Sequence, residues 1–414
     1  MPDSNQCRRM PEKFDFDVRP LHIATLEDAR RELGRIGADP AGTAMMAGKM
    51  LQRCLRLGGL ECRQANILKQ EMLSLGGDAA VARGAVSCSI PSSDVILIGT
   101  EKQLRLLCDK LASQPFRLKT LAAEVRRTLD HLAAPPDSWL TSRRELSLRR
   151  PLIMGILNIT PDSFSDGSLY LDPQRALDRA LEMADQGADI IDIGGESTRP
   201  GAPPVPAEEE LRRVAPVIEK LAGKLSCAIS VDTWKAAVAQ AAINAGAEII
   251  NDISGFTFDP AMAQVAAQTG AAAVLMHTRG EPDTMQQETG YPDLLVAVTG
   301  YLQKSLAAAL AAGIKRERLA LDPGIGFAKD TKGNLELLRR LDELRGFGLP
   351  LLVGTSRKSF IGRTLNRETG DRLPGTAATV ALAIASGASI LRVHDVREMR
   401  DVADMAYAIT FAQL

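Results

Sequence analysis

The chain has 414 residues, 45% of them hydrophobic and 24% charged, with a formal net charge of -1. This is a globular composition with ample length for large cores, and it argues against a general nucleic-acid binder. No apolar run reaches the roughly 18–20 residues of a spanning helix, and the six cysteines lack the paired short spacings of a zinc site, so the expectation is a cytosolic protein off the membrane with reduced, buried thiols.

Residues 1–20 are polar and irregular and read as a flexible arm without a secretory signal's apolar core. Residues 21–138 have a pattern of their own. Helical spacing is expected over 26–37, 40–57 and 60–75, the last two stopped by Gly58-Gly59 and Gly76-Gly77. Residues 81–90 and 94–99 read as strands, and 101–112 and 117–132 return to helical periodicity. The sum is a small α/β or mostly helical accessory module without a phosphate loop, a metal-ligand pair or a nucleophile motif. Residues 1–150 carry 24 Lys and Arg against 18 Asp and Glu, whereas the remainder carries 26 against 33, the mark of two separately solvated surfaces. Residues 139–150 read as a linker after the Ala133–Ser138 stretch AAPPDS.

From 151 to 414 the grammar changes. Short apolar runs at 152–159, 190–193, 228–231, 248–251, 272–276, 319–321, 351–353 and 390–393 alternate with helical stretches. Eight strands, each followed by a helix, in about 264 residues predict a (β/α)8 barrel, with strands that read apolar throughout because both faces are covered. An open doubly wound sheet is disfavoured, since no G-x-G-x-x-G follows the first strand.

The carboxyl ends of such strands build the active site. All eight carry polar groups: Asn158 and Asp166; Glu196, Thr198 and Arg199; Asp232; Asn251; Met276-His277 with Arg279; Asp322, Phe327 and Lys329; Arg357 and Lys358; Arg392 and His394. Taken singly each has a bland reading, such as Asp232 or Thr233 capping the next helix. Taken together they suit a defined chemistry. Arg199, Lys358, Arg392 and His394 can neutralise phosphate oxygens. Asn158 and Asp166 are hard oxygen ligands of the kind Mg²⁺ takes beside a phosphate. Asp232, Asn251 and Asp322 suit the hydrogen-bonding edge of a flat heterocycle, with the Asn amide able to supply either polarity. No acyl-transfer triad is in evidence.

The motifs MGILNITPDSFSDG, DIGGESTRPGA, LMHTRG, LDPGIGFAKD, GTSRKSFIG and RVHDV, in that order, resemble the dihydropteroate synthases over residues 151–414. The resemblance implies a transferase of folate biosynthesis that joins 6-hydroxymethyl-7,8-dihydropterin diphosphate to 4-aminobenzoate and releases diphosphate. It implies pterin binding by Asp232, Asn251, Met276, Asp322, Phe327, Lys358 and Arg392, and diphosphate binding by Asn158, Thr198, Arg392 and His394. It further implies an aminobenzoate pocket framed by Phe164, Pro200, Lys358 and Ser359, Mg²⁺ on Asn158 and Asp166, catalytic roles for Asp166, Arg199 and Lys358, and a homodimer. The alternative is a pterin-binding methyltransferase that passes a methyl group from methyltetrahydrofolate to a corrinoid partner. That activity leaves the first loop, Arg392 and His394 without purpose.

Overall fold

Leu26, Ala29 and Leu33 recur at helical spacing behind Thr25, whose hydroxyl accepts from the Asp28 amide in a capping box, and they define the first element of a computed structural model that describes residues 16–160, 173–197 and 203–411. The chain divides into two compact units, Met1–Ala133 and Ala134–Leu414. The expected N-terminal arm falls mostly outside the described residues.

In the first unit the order is α1 (Leu26–Arg35), α2 (Pro40–Met50), β1 (Gln52–Glu61), α3 (Cys62–Ser74), β2 (Asp78–Val81), β3 (Ser92–Thr100), α4 (Glu101–Leu111) and α5 (Leu118–Ala133). The three strands form an antiparallel sheet in the order β1-β3-β2. Leu68, Met72, Val95, Leu97, Leu104, Leu107 and Leu129 share its core. The helix expected over 40–57 ends instead at Met50. Residues 52–61 alternate, with Leu55 and Leu57 turned to the core, and the strand pairing wins over helical spacing. Gly58-Gly59 forms a bulge in that strand, where the Gly59 amide donates to Asp94 at 2.9 Å. The strand expected over 81–90 lies earlier, at 78–81. Cys54 and Cys88 are exposed, contrary to expectation, while Cys62, Cys108 and Cys227 are buried.

The second unit opens with a correction. The expected linker at 139–150 folds as a hairpin of β4 (Ser138–Leu140) and β5 (Glu145–Ser147). Trp139 is wholly buried in one cluster with Leu152, Ile190, Ala228, Ile249, Ala272, Leu352 and Ile390, the first residues of seven barrel strands. The hairpin therefore closes the amino-terminal mouth of the barrel. Thr141 and Arg144 fasten it to buried Glu248, at 2.7 and 3.0 Å.

The barrel strands are β6 (Leu152–Asn158), β7 (Ile190–Gly194), β8 (Ala228–Asp232), β9 (Ile249–Asp252), β10 (Ala272–Met276), β11 (Leu319–Asp322), β12 (Leu352–Val353) and β13 (Ile390–Val393). All pair in parallel, in the order β11-β10-β9-β8-β7-β6-β13-β12, and a bridge from Leu321 to Leu351 completes the ring. Each boundary lies within two residues of the sequence expectation. The outer helices are α6 (Pro173–Asp185), α7 (Ala207–Leu221), α8 (Ala236–Ala245), α9 (Met262–Thr269), α10 (Leu294–Ala311), α11 (Thr331–Arg339), α12 (Ser359–Leu365), α13 (Leu373–Ala385) and α14 (Val396–Phe411). The short helix α12 was not foreseen. Helix α10 corrects another expectation: at 18 residues and mean hydropathy 1.4 it is long and apolar enough to cross a membrane. Its Leu294, Leu295, Val298, Leu302 and Leu306 instead pack into the barrel's outer core.

Candidate active site

The strand register sets the floor of the site. Asn158 stands beside Gly194, Gly194 beside Asp232, and Asp232 beside Asn251, so the ends of β6 to β9 form one row. Met276 and Asp322 are neighbours on β10 and β11. Gly194 lies between Asn158 and Asp232: a Cβ there would stand 3.6 Å from both Asn158 Oδ1 and Asp232 Oδ2, in ordinary contact.

Arg392 reaches in from β13. Its Nη2 donates to Asp232 Oδ2 at 2.5 Å and its Nε to Asp192 Oδ2 at 2.6 Å. Asp192 sits mid-strand on β7, two residues below Gly194 on the same inward face, and is fully buried. It was not among the expected site residues. Asn251 Nδ2 also donates to Asp192 Oδ2, at 3.0 Å. Asp192 Oδ1 has no partner among the described residues.

One guanidinium is thus shared by two buried carboxylates. Burial drives the Asp232 carboxyl up to about 7 against the opposing pull of Arg392. Arg392 itself is held firmly charged by its two carboxylates, although burial opposes that charge. Burial also raises Asp322, whose Oδ1 accepts from the Gly324 amide at 2.6 Å. Lys358 is pushed down to about 8 by burial; its ammonium donates to the Ile325 carbonyl and stands 4.8 Å from the centre of the Phe327 ring.

A second buried lysine supports this corner. Lys329 Nζ donates to the carbonyls of Gly324 and Phe327 and to His277 Nδ1, each at 2.9 Å. Burial brings Lys329 down to about 7 and, with the adjacent ammonium, His277 down to about 2. His277 is therefore a neutral acceptor that locks β10 to the loop after β11. Gly324 must be glycine, since at φ +70° a Cβ would fall 1.9 Å from the His277 carbonyl oxygen.

Several strand-end groups serve the scaffold. Asp252 accepts from the Ser254 and Phe256 amides, at 2.7 and 2.9 Å, and shapes a turn. Arg279 stacks on Tyr291 at 3.7 Å and donates to carbonyls of its own loop. Arg357 pairs with Asp395. Glu196 accepts from the Val205 amide at 2.8 Å and from Lys235 at 2.7 Å, which ties together the two ends of the loop after β7. His394 joins Ser356 Oγ through Nδ1 at 3.0 Å, and Ser359 is exposed at the start of α12. Phe164, Asp166, Thr198, Arg199 and Pro200 lie outside the described residues.

The family model described as pterin binding enzyme matches residues 154–394, and the chain is 50% identical over 260 residues to the dihydropteroate synthase of Bacillus subtilis, covering 63% of this chain and 89% of that one. The chain belongs to the pterin-binding enzymes, in their dihydropteroate synthase branch. A solved structure of Xanthomonas albilineans dihydropteroate synthase with 4-aminobenzoic acid superposes with TM-score 0.63 at 42% identity, over 67% of this chain and 99% of that one. A probable bifunctional folylpolyglutamate synthase/dihydropteroate synthase of Haloferax volcanii is 42% identical over 404 residues, covering 94% of this chain, so that likeness takes in most of the first unit of this chain. The chain spans about half the length of that relative, 47%.

The acid–base balance of this floor carries a pH prediction. A carboxylate can accept from a donor edge only after losing its proton, and Lys358 can donate with full charge only while it keeps its own. Pterin affinity of the ligand-free protein should rise as pH passes about 7, where Asp232 ionises, and fall above about 8, where Lys358 is neutralised. Fluorescence titrations with a pterin between pH 5.5 and 9.5 should give a bell, and a flat profile would contradict these assignments.

Proposed function

We propose that this protein is a transferase that condenses 6-hydroxymethyl-7,8-dihydropterin diphosphate with 4-aminobenzoate, giving 7,8-dihydropteroate and diphosphate. The observation that carries this reading is the set of acceptors at neighbouring strand ends, Asp232 paired with Asn251 and Asp322 on β11, close to the cations Arg392 and Lys358. Acceptors suit the amino and ring N–H edge of a pterin, and the adjacent cations suit its diphosphate.

In the reaction the bond from the exocyclic methylene carbon to the diphosphate oxygen breaks, and its electron pair leaves with diphosphate. The methylene is left as a cation stabilised by the electron-rich ring. The 4-aminobenzoate nitrogen donates its lone pair to that carbon and then sheds a proton. Arg392 and His394, with Asn158 and Thr198, hold the leaving group. Lys358 donates to the pterin and, with Ser359, Phe164 and Pro200, frames the aminobenzoate. Met276 and Phe327 wall the ring. Asp166 and Arg199 would complete the catalytic set by stabilising the cation and shielding it from water. No protein nucleophile is required.

A divalent cation fits the donor set. Asn158 offers a hard oxygen at the end of β6, with Gly194 between it and Asp232 in the strand register. Asn158, with Asp166, would hold Mg²⁺, which when bound neutralises developing charge on the leaving oxygens. We also propose that the protein works as a homodimer in the cytosol. Mass spectrometry of the purified protein incubated with both substrates should detect 7,8-dihydropteroate; its absence would defeat the reading.

A further inference from the structure

Asp192 is a fully buried group that the reaction scheme leaves unused, yet it makes two contacts with groups that the scheme needs. A single oxygen, Oδ2, accepts from Arg392 Nε at 2.6 Å and from Asn251 Nδ2 at 3.0 Å. An amide side chain has one donating end and one accepting end. A carboxylate can satisfy only the donating end, so Asn251 must point its Oδ1 away from Asp192. The reversed amide would set its oxygen against a carboxylate oxygen in a buried site, an unmatched pairing that costs the full desolvation of both groups.

We infer that Asp192 is a positioning and specificity-determining residue: it locks the Asn251 amide so that Asn251, like Asp232 and Asp322, presents an acceptor to the ring edge. Asp232 and Asp322 are acceptors already. With Asn251 Oδ1 turned up, the row reads an edge of consecutive donors, an amino group beside a ring N–H, and rejects an edge that carries an oxo group in the amino position. The same oxygen of Asp192 holds Arg392 in register with Asp232, so selection of the ring and placement of the cation share one anchor. This rests on the pterin reading above.

Two ligands and three variants test it. The probes are 6-hydroxymethylpterin and its 2-oxo analogue, the corresponding lumazine. The wild-type protein should prefer the pterin by roughly 100-fold or more, because a buried acceptor facing an oxo group goes unsatisfied. Asp192→Ala frees the amide to turn, and the preference should fall by about tenfold or more. Asn251→Asp sets two carboxylates together and should weaken pterin binding by about 100-fold. The double variant Asp192→Asn with Asn251→Asp restores one donor between them, still presents an oxygen upward, and should recover the preference to within about tenfold of wild type. A purely space-filling Asp192 would show neither the change in preference nor the rescue, and either absence overturns the proposal.

A ligand-free readout separates this from the pterin reading. The Asn251 side-chain amide protons, followed by nuclear magnetic resonance, should exchange slowly in the wild type and fast in Asp192→Ala. Equal exchange overturns the role of Asp192. Slow exchange in a protein that binds neither probe would leave the amide lock standing and overturn the assigned ligand, and with it the specificity claim. If Asp192→Ala does not fold, the double variant, which keeps volume and charge count, decides the matter by rescue or its failure.

Discussion

Replacing Asp232 with alanine should reduce pterin affinity by roughly 10²–10³-fold while leaving the protein folded. The carboxylate is 8% exposed, and its partner Arg392 keeps a second carboxylate, Asp192, when Asp232 is removed. No buried cation is therefore orphaned. Burial raises Asp232, and a raised carboxyl contributes stability that is fully present below its ordinary value and lost as pH rises through about 7. Alanine removes that cost at neutral pH. The whole loss should fall on the ligand, whose donor edge would face a hole, at about 3–4 kcal/mol for an uncompensated buried partner. Calorimetric titration with a pterin, alongside thermal unfolding, measures both halves. A variant that binds normally, or one that fails to fold, would contradict the assignment.

The second large effect is expected from Arg392→Met, and it runs the other way. Arg392 is the only cation in contact with Asp192 and Asp232 among the described residues. Its loss leaves two buried carboxylates facing one another, which costs about 3–5 kcal/mol of stability at neutral pH. The sign with pH is definite. Arg392 lowers Asp232 and Asp192 raises it, so removing Arg392 raises Asp232 further. The variant should thus be nearest to wild type at pH 5 and lose stability more steeply than wild type as pH rises toward 8. Thermal unfolding across that range tests it. Parallel curves would show that the triad carries little electrostatic coupling. Diphosphate binding should fall as well, since the guanidinium is the innermost cation of the floor.

The barrel was legible in the sequence because each strand is a short apolar run that ends in polar residues, a pattern that parallel strands covered on both faces must produce. The strand-end residues Asn158, Asp232 and Asp322, and Asn251 one place before the end of β9, could therefore be singled out by position alone. Asp192 could not be found that way. It interrupts the run Ile190–Gly194 from within, and its role depends on Arg392, 200 residues away. A charged residue inside a buried strand, in step with Gly194 two places on, was the available signal. Asp252, Arg279 and Glu196 show the converse: their side chains turn into local caps and loop ties that sequence position does not distinguish from a ligand role. In the first unit, residues 52–57 read as the end of a helix because Leu51, Leu55 and their neighbours fit both periods, and only pairing with β3 decided between them.

The most direct test of the central claim is to measure diphosphate release by the purified full chain from 6-hydroxymethyl-7,8-dihydropterin diphosphate, with and without 4-aminobenzoate and with and without Mg²⁺. Release that requires both additions, matched one for one by dihydropteroate, is the expected result. No release under any condition, together with methyl transfer from methyltetrahydrofolate to a corrinoid acceptor, would contradict it.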